Sequence, residues 1–215
     1  MGRARADAAG RALGAARRRG AGAVLRVGLY QGIRRPTHAL FRLLYRLELA
    51  GRVPPGACVV AANHESLLDP VLVALAADQP LHFLAKEELW HTRAGAWLAD
   101  AYGAIPVARG RGDSAALARA AALLQSGEAV AIFPEGTVRG GVWSRGAARL
   151  ALATGAPLVP VRIVGSARAL SRGRVGLPRL RVVVGEPIAV SRATPTVASA
   201  RALTRELESR VAALV

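Results

Sequence analysis

Val59-Val60-Ala61-Ala62-Asn63-His64-Glu65-Ser66-Leu67-Leu68-Asp69-Pro70 is the stretch whose reading decides the fold. Its apolar run stops at Asn63, as a buried strand stops, and Asp69-Pro70 opens a helical pattern. His64 and Asp69 stand five positions apart. On one continuous helix that spacing places them about 140° apart, on different faces. With His64 in a strand-to-helix turn and Asp69 in the first helical turn, the carboxylate reaches back to the imidazole. A carboxylate is also favoured there by the free N–H groups of a helix N-terminus. An imidazole held by a carboxylate has a fixed tautomer and a stabilised cation, which a general base needs. The same residues also read as an ordinary helix cap, with Asn63 or Ser66 as N-cap, Asp69 as a first-turn acid and His64 without a role. The spacing alone does not choose between the two.

Outward from this stretch the chain alternates apolar strand patterns with helical ones. Strands are expected at 56–62, 82–85, 104–107, 129–133, 158–164 and 180–184, and helices at 69–77, 87–101, 113–126, 145–154 and 196–213. In the last helix Val197, Ala200, Leu203, Leu207 and Val211 keep helical spacing, which gives it one buried face. Such alternation predicts an α/β fold, a single domain with a central, mostly parallel sheet flanked by helices. A chain of 215 residues is long enough for one sizeable core. There is no internal repeat and no interior linker.

The N-terminal quarter has a different character. Residues 1–22 are mostly Ala, Gly and Arg with one acid, Asp7, and read as a flexible basic tail spanning residues 1–30, before a domain over 31–215. No apolar signal-peptide core follows the early charges, although an Arg- and Ala-rich, acid-poor start also fits an organelle transit peptide. Pro36 is expected to open an amphipathic helix within residues 35–52, with Gly51 as its stop. Arg35, Arg42 and Arg46 fall on one side of it, and Leu40, Leu43, Leu44 and Leu47 largely on the other. No run of about 18 apolar residues exists to span a bilayer. Such a helix behind a basic tail suits the surface of an anionic membrane, each basic side chain near lipid contributing about 1 kcal/mol. Alternatively, the helix packs on the domain with its arginines solvated.

Composition bounds the function. The formal charge is +16, apolar residues make up 52%, and Lys86 is the single lysine among 30 basic residues. A basic chain can bind nucleic acid through phosphates. Here no nucleic-acid motif is present, and three Trp, three Tyr and three Phe leave little to stack on bases. Cys58, the sole cysteine, rules out an intrachain disulfide and reads as a small core residue. No metal site and no phosphate-binding glycine-rich loop is expected, since Lys86 lacks a glycine-rich lead-in. His38 belongs to the surface helix, and His82 and His91 have no Asp at useful spacing.

Further polar segments interrupt the ends of apolar strands, where ligands of open α/β sheets bind. Phe83-Leu84-Ala85-Lys86 carries the lysine, and Gly103-Ala104-Ile105-Pro106-Val107-Ala108-Arg109 carries an arginine. Phe133-Pro134-Glu135-Gly136-Thr137 with Arg139 offers a carboxylate, a permissive glycine, a hydroxyl and an oxyanion donor. It also reads as a plain turn.

Taken in order, Asn63-His64-x-x-x-x-Asp69, Gly103-x-Ile105-Pro106-x-x-Arg109, Phe133-Pro134-Glu135-Gly136-Thr137 and Val159-Pro160-Val161 resemble the blocks of the glycerolipid acyltransferases. The nearest likeness is to the 1-acylglycerol-3-phosphate (lysophosphatidic acid) acyltransferases, over about residues 35–190. The resemblance implies acyl transfer from acyl-CoA or acyl carrier protein to the free hydroxyl of a lysophospholipid, with no cofactor beyond that donor. It implies His64 as general base and Asp69 as its orienting partner. Glu135, Gly136 and Thr137 match the acceptor-binding block, and Lys86, Arg109 and Arg139 are candidates for the acceptor phosphate. Backbone N–H groups near the start of helix 69–77 are the expected oxyanion donors. A Gly-x-Ser-x-Gly nucleophile elbow is absent, so no acyl-enzyme is needed. The resemblance further implies a peripheral protein on the cytoplasmic side of a membrane.

There is one departure. Family members commonly carry Arg directly after Glu-Gly-Thr, where this chain has Val138 and places Arg139 one residue later. Acceptor identity therefore stays open to another lysolipid or hydroxyl compound, such as an amino-acid lipid. From another class, a non-catalytic basic protein binding lipid or nucleic acid is the competing expectation.

Overall fold

Strand β2 (Val59–Ala62) is four small or β-branched apolar residues, and all four are buried. Val59 and Ala61 pack into one hydrophobic cluster while Val60 and Ala62 pack into another. A strand covered on both faces reads as a continuous apolar run, which is how a central parallel strand reads. The computed structural model describes residues 31–93, 96, 99, 104–107, 114–136, 138, 141–171 and 174–215. The tail over residues 1–30 lies outside them.

In chain order the described elements are helix α1 (31–45), β1 (Glu48–Ala50), β2, α2 (Asp69–Leu75), β3 (Leu81–Lys86), a 3-10 turn (Glu87–His91) and β4 (Ile105–Val107). There follow α3 (Ser114–Gln125), β5 (Ala129–Ile132), α4 (Gly146–Thr154), β6 (Leu158–Val164), α5 (Ser166–Ala169), β7 (Leu170–Ser171), β8 (Arg174–Val175), β9 (Arg181–Val184) and α6 (Val197–Ala213). Seven strands form one sheet in the order β1-β9-β6-β2-β5-β3-β4, and β7 and β8 form a small hairpin. Every pairing in the large sheet is parallel except β6 with β9. The expected α/β architecture is the observed one, a mostly parallel sheet with helices on both faces. Leu72, Leu75, Tyr45 and Phe83 build the core on one face. Leu124, Leu150, Leu207 and Val211 build it on the other.

Pro160 sits in β6 between two neighbours, a position that normally excludes proline. Its carbonyl accepts Gly185 N–H at 2.9 Å, and the β6–β9 ladder has already ended at Val161↔Val184. The missing donor therefore falls where no partner strand needs it. Helix α6 starts on a reciprocal cap in which the Thr196 and Ser199 hydroxyls each accept the other residue's amide, both at 3.0 Å. Val197, expected on its buried face, is exposed at the first turn instead.

The N-terminal helix differs from its expected bounds. Its described part runs over 31–45, it stops short of the expected 52, Pro36 lies within it, and Arg46 at φ 48° breaks it. Residues 48–50 then become β1, pairing with β9 far along the chain. Gly51 ends that strand, not the helix: at φ 80° its missing Cβ would lie 2.7 Å from the Val184 carbonyl oxygen. Helix 87–101 is described as the 3-10 turn Glu87–His91 followed by helical residues 93, 96 and 99, its remainder lying outside the described residues. Because Gly51 carries both a positive φ and a backbone contact, Gly51→Ala is expected to destabilise the fold by about 1–3 kcal/mol. The check is urea unfolding, where the midpoint falls at unchanged slope; an unmoved midpoint contradicts this reading.

Candidate active site

Parallel pairing decides which loops meet. Ala61 of β2 is opposite Ile132 of β5, so the segments that follow, 63–69 and 133–136, leave the sheet side by side at its C-terminal edge. Asp69 is the first residue of α2, and its carboxylate is fully buried. Oδ2 accepts the backbone N–H of Glu65 at 2.6 Å and of Ser66 at 2.8 Å, and lies 3.0 Å from His64 Nδ1. An ionised carboxylate only accepts, so the facing Nδ1 carries the ring proton and Nε2 is left with its lone pair. Asp69 Oδ1 is buried with no hydrogen-bond partner among the described residues. The helix cap is Leu68, which makes no side-chain capping bond. Ser66 Oγ accepts Leu68 N–H at 3.3 Å, and the Asn63 side chain turns the other way, so neither caps α2 as the simpler reading expected.

The His64 ring is 15% exposed and stacks on Phe133, with centroids 4.3 Å apart and planes 22° from parallel. Phe133 stacks in turn on Phe83 of β3, at 6.2 Å. Glu135 Oε1 accepts the His64 backbone N–H at 3.3 Å. Gly136, at φ 65°, is exposed and opens no clash. The Phe-Pro-Glu-Gly corner thus lies directly against the imidazole and its backbone. Lys86 ends β3 at the same edge. Its side chain lies outside the described residues, as do Arg109, Thr137 and Arg139. Val138 is partly exposed.

Amides at the start of α2 were expected to hold an oxyanion, but most are committed. Glu65 and Ser66 donate to Asp69, Leu68 donates to Ser66 Oγ, and Asp69 N–H donates to the Ser66 carbonyl at 3.1 Å. The turn uses its own donors to hold the carboxylate.

Three contacts escaped sequence reasoning. Asn63 Oδ1 accepts Ile163 N–H at 2.7 Å and its Nδ2 donates to the Ile163 carbonyl at 2.9 Å, joining positions 100 apart. Phe133 against His64 is the second, and only the register of β2 and β5 makes it visible. His82, which has no Asp at useful spacing, meets a distant Glu instead: its Nε2 lies 2.6 Å from Glu128 Oε2. That pair stands where β3 and β5 begin, at the opposite end of the sheet from His64. The His38 pKa is lowered by burial and by Arg42, Arg34 and Arg52 around it. Among the described residues no group of three or more His, Cys, Asp or Glu is arranged to hold a metal ion.

The chain is similar to known proteins. Residues 46–164 match the family model described as Acyltransferase. A chloroplastic 1-acyl-sn-glycerol-3-phosphate acyltransferase of Brassica napus is 31% identical over 145 residues, 63% of this chain and 42% of the relative. A lyso-ornithine lipid O-acyltransferase of Pseudomonas aeruginosa is 39% identical over 101 residues, 46% of this chain and 38% of the relative. The match thus spans about two fifths of the length of these relatives. The crystal structure of a 1-acyl-sn-glycerophosphate acyltransferase from Thermotoga maritima superposes with a TM-score of 0.70. It is 24% identical and covers 86% of this chain and 78% of its own, a likeness of fold. With the family model covering more than half of its length, and the His64, Asp69 and Phe133–Gly136 blocks gathered at one sheet edge, this chain belongs to the acyltransferase family.

Proposed function

We propose that this protein transfers a fatty acyl group from a thioester donor, acyl-CoA or acyl carrier protein, to the free hydroxyl of 1-acyl-sn-glycerol 3-phosphate. The observation that carries the reading is the His64–Asp69 pair, with the acid fully buried and one oxygen 3.0 Å from Nδ1. In the proposed step His64 Nε2 takes the proton of the acceptor hydroxyl as its oxygen attacks the thioester carbonyl. The tetrahedral intermediate collapses, breaks the C–S bond and forms the ester. The departing thiolate takes the proton back from the imidazolium, so no acyl-enzyme forms. Asp69 holds the productive tautomer and stabilises the transient cation, the base–orienter half of a catalytic triad. Substrate oxygen stands in the place of serine.

Glu135, Gly136 and Thr137 are proposed to border the acceptor, and Lys86, Arg109 and Arg139 to supply charge for its phosphate. A second acceptor class is favoured by two observations. Val138 stands where the acyltransferase block commonly has Arg, and a lyso-ornithine lipid acyltransferase is among the relatives. A lysolipid without a glycerol phosphate suits a corner whose arginine is displaced by one residue.

Action at a membrane surface is part of the proposal, the protein being peripheral and facing the cytoplasm. No helix among the described residues is long and apolar enough to cross a bilayer. Phe41 and Tyr45 of α1 pack on the core, while Leu40, Leu43 and Leu44 are exposed, Leu43 by 79%. Leu67, in the loop between His64 and Asp69, is 65% exposed, and Val142, beyond the Phe-Pro-Glu-Gly corner, is 96% exposed. Exposed apolar side chains on α1 and next to the His64 turn, together with the exposed Arg42 and Arg46, suit an anionic lipid surface rather than water.

Acceptor identity is tested with a panel of lysophosphatidic acid, other lysophospholipids and lyso-ornithine lipid, each with acyl-CoA and with acyl carrier protein donors. Transfer to lysophosphatidic acid is expected, with Val138→Arg raising kcat/KM for phosphate-bearing acceptors by about tenfold, the worth of one charge-assisted hydrogen bond. Absence of transfer to every acceptor overturns the reading; a preference for lyso-ornithine lipid selects the second acceptor class. For membrane binding, deletion of residues 1–30 is expected to weaken adsorption to anionic vesicles, most at low salt. Leu43→Gln with Leu67→Gln is expected to weaken adsorption at every salt concentration. Unchanged sedimentation with vesicles in both cases rejects the membrane-surface role.

A further inference from the structure

Strand β2 ends at Ala62, two residues before His64, and its neighbour β6 does not end there. The β2–β6 register runs from Val59↔Leu158 to Ala62↔Val161, after which β6 continues to Val164. Main-chain groups of alternate strand residues face the same neighbour. The Pro160 carbonyl is used toward the β9 side, so the N–H and C=O of Val161 and Ile163 face β2. At Ile163 no backbone of β2 remains to meet them. The Asn63 carboxamide does so instead, accepting from Ile163 N–H at 2.7 Å and donating to its carbonyl at 2.9 Å. Asn63 and Ile163 are both buried, so water does not substitute.

We propose that Asn63 is a positioning residue: its side chain acts as the next rung on β6, fixes where the chain departs from the sheet, and so holds the His64 ring on Asp69 and Phe133. The other restraints on His64 come from elsewhere, its amide from Glu135 of the β5 loop and its ring from Asp69 of α2. Asn63 supplies the restraint from the β6 side. It also gives the Val159-Pro160-Val161 block a purpose beyond core packing, because that block is the strand whose end presents Ile163. The catalytic consequence rests on the acyl transfer proposed above, whereas the geometric part does not.

The test compares wild type with Asn63→Ala and Asn63→Asp. The aspartate variant is isosteric, keeps an acceptor for Ile163 N–H and loses the donor to its carbonyl. Two measurements are made, kcat and KM for donor and acceptor, and nitrogen-15 NMR of the His64 imidazole. For both variants kcat is expected to fall by about 10²-fold, the scale of a 1 Å misplacement, with each KM nearly unchanged. The His64 ring, a single tautomer protonated at Nδ1 in wild type, is expected to become a mixture. Thr204→Ala, which removes the Oγ1 bond to the Ala200 carbonyl on α6, controls for simple destabilisation and keeps kcat. Retained kcat in folded Asn63→Ala overturns the proposal. So does a rise in KM alone, which makes Asn63 a substrate ligand, or a single surviving tautomer. If the alanine variant does not fold, the aspartate variant decides by the same readings. Should wild type transfer no acyl group, the proposed function fails, and the NMR comparison still decides whether Asn63 positions the ring.

Discussion

One oxygen of a buried carboxylate, Asp69 Oδ2, is the fixed point around which this site is arranged. An ionised carboxylate out of water is tolerable only when donors surround it. Here the donors are the amides of Glu65 and Ser66 and the imidazole of His64. To deliver them the chain between β2 and α2 must fold back on the first residue of the helix. The five-residue separation of His64 and Asp69 is the length of that turn. Helix α2 adds its own favourable end to the negative charge, since Asp69 occupies the first helical position. Consequently the turn, the helix start and the tautomer of His64 are set by one interaction.

The sheet places this turn where it is useful. Because β2 and β5 run parallel and in register, the Phe133–Gly136 corner emerges beside His64 and supplies a flat wall for its ring. On the other flank β6 outlasts β2, and Asn63 fills the gap. Without it two buried main-chain groups of Ile163 would be orphaned, at about 1–3 kcal/mol each. The imidazole is therefore walled on one side by β5, tethered on the other by β6 and gripped from below by α2. The proposed chemistry asks little more of the protein than this rigidity. The acyl thioester is already activated, and a held base with a positioned hydroxyl is sufficient to start the transfer.

How much of this was legible in the sequence follows from the range of each contact. The alternation of apolar runs gave the α/β sheet because each run is local. The pairing of His64 with Asp69 was visible as one of two readings, and it took the later blocks to favour it. For Asn63 the only role the sequence offers is that of a cap, in the reading that the later blocks set aside, since a side-chain amide before a helix caps far more often than it replaces a strand rung. His82 and Glu128 meet only because β3 pairs with β5, which no spacing announces. Helix α1 was misplaced because Pro36 resembles a helix start, yet it lies within the helix, where it removes one backbone bond instead of opening the element. Strand β1 went unseen for a different reason: three residues have no period, and its partner β9 lies more than 130 positions along the chain.

The central claim, that His64 is the base for the acceptor hydroxyl, is tested most directly by His64→Ala in an acyl-transfer assay run beside a lysolipid-binding measurement. The account predicts a rate lower by about 10²–10⁴-fold with lysolipid affinity kept. Transfer at the wild-type rate in that variant would contradict it.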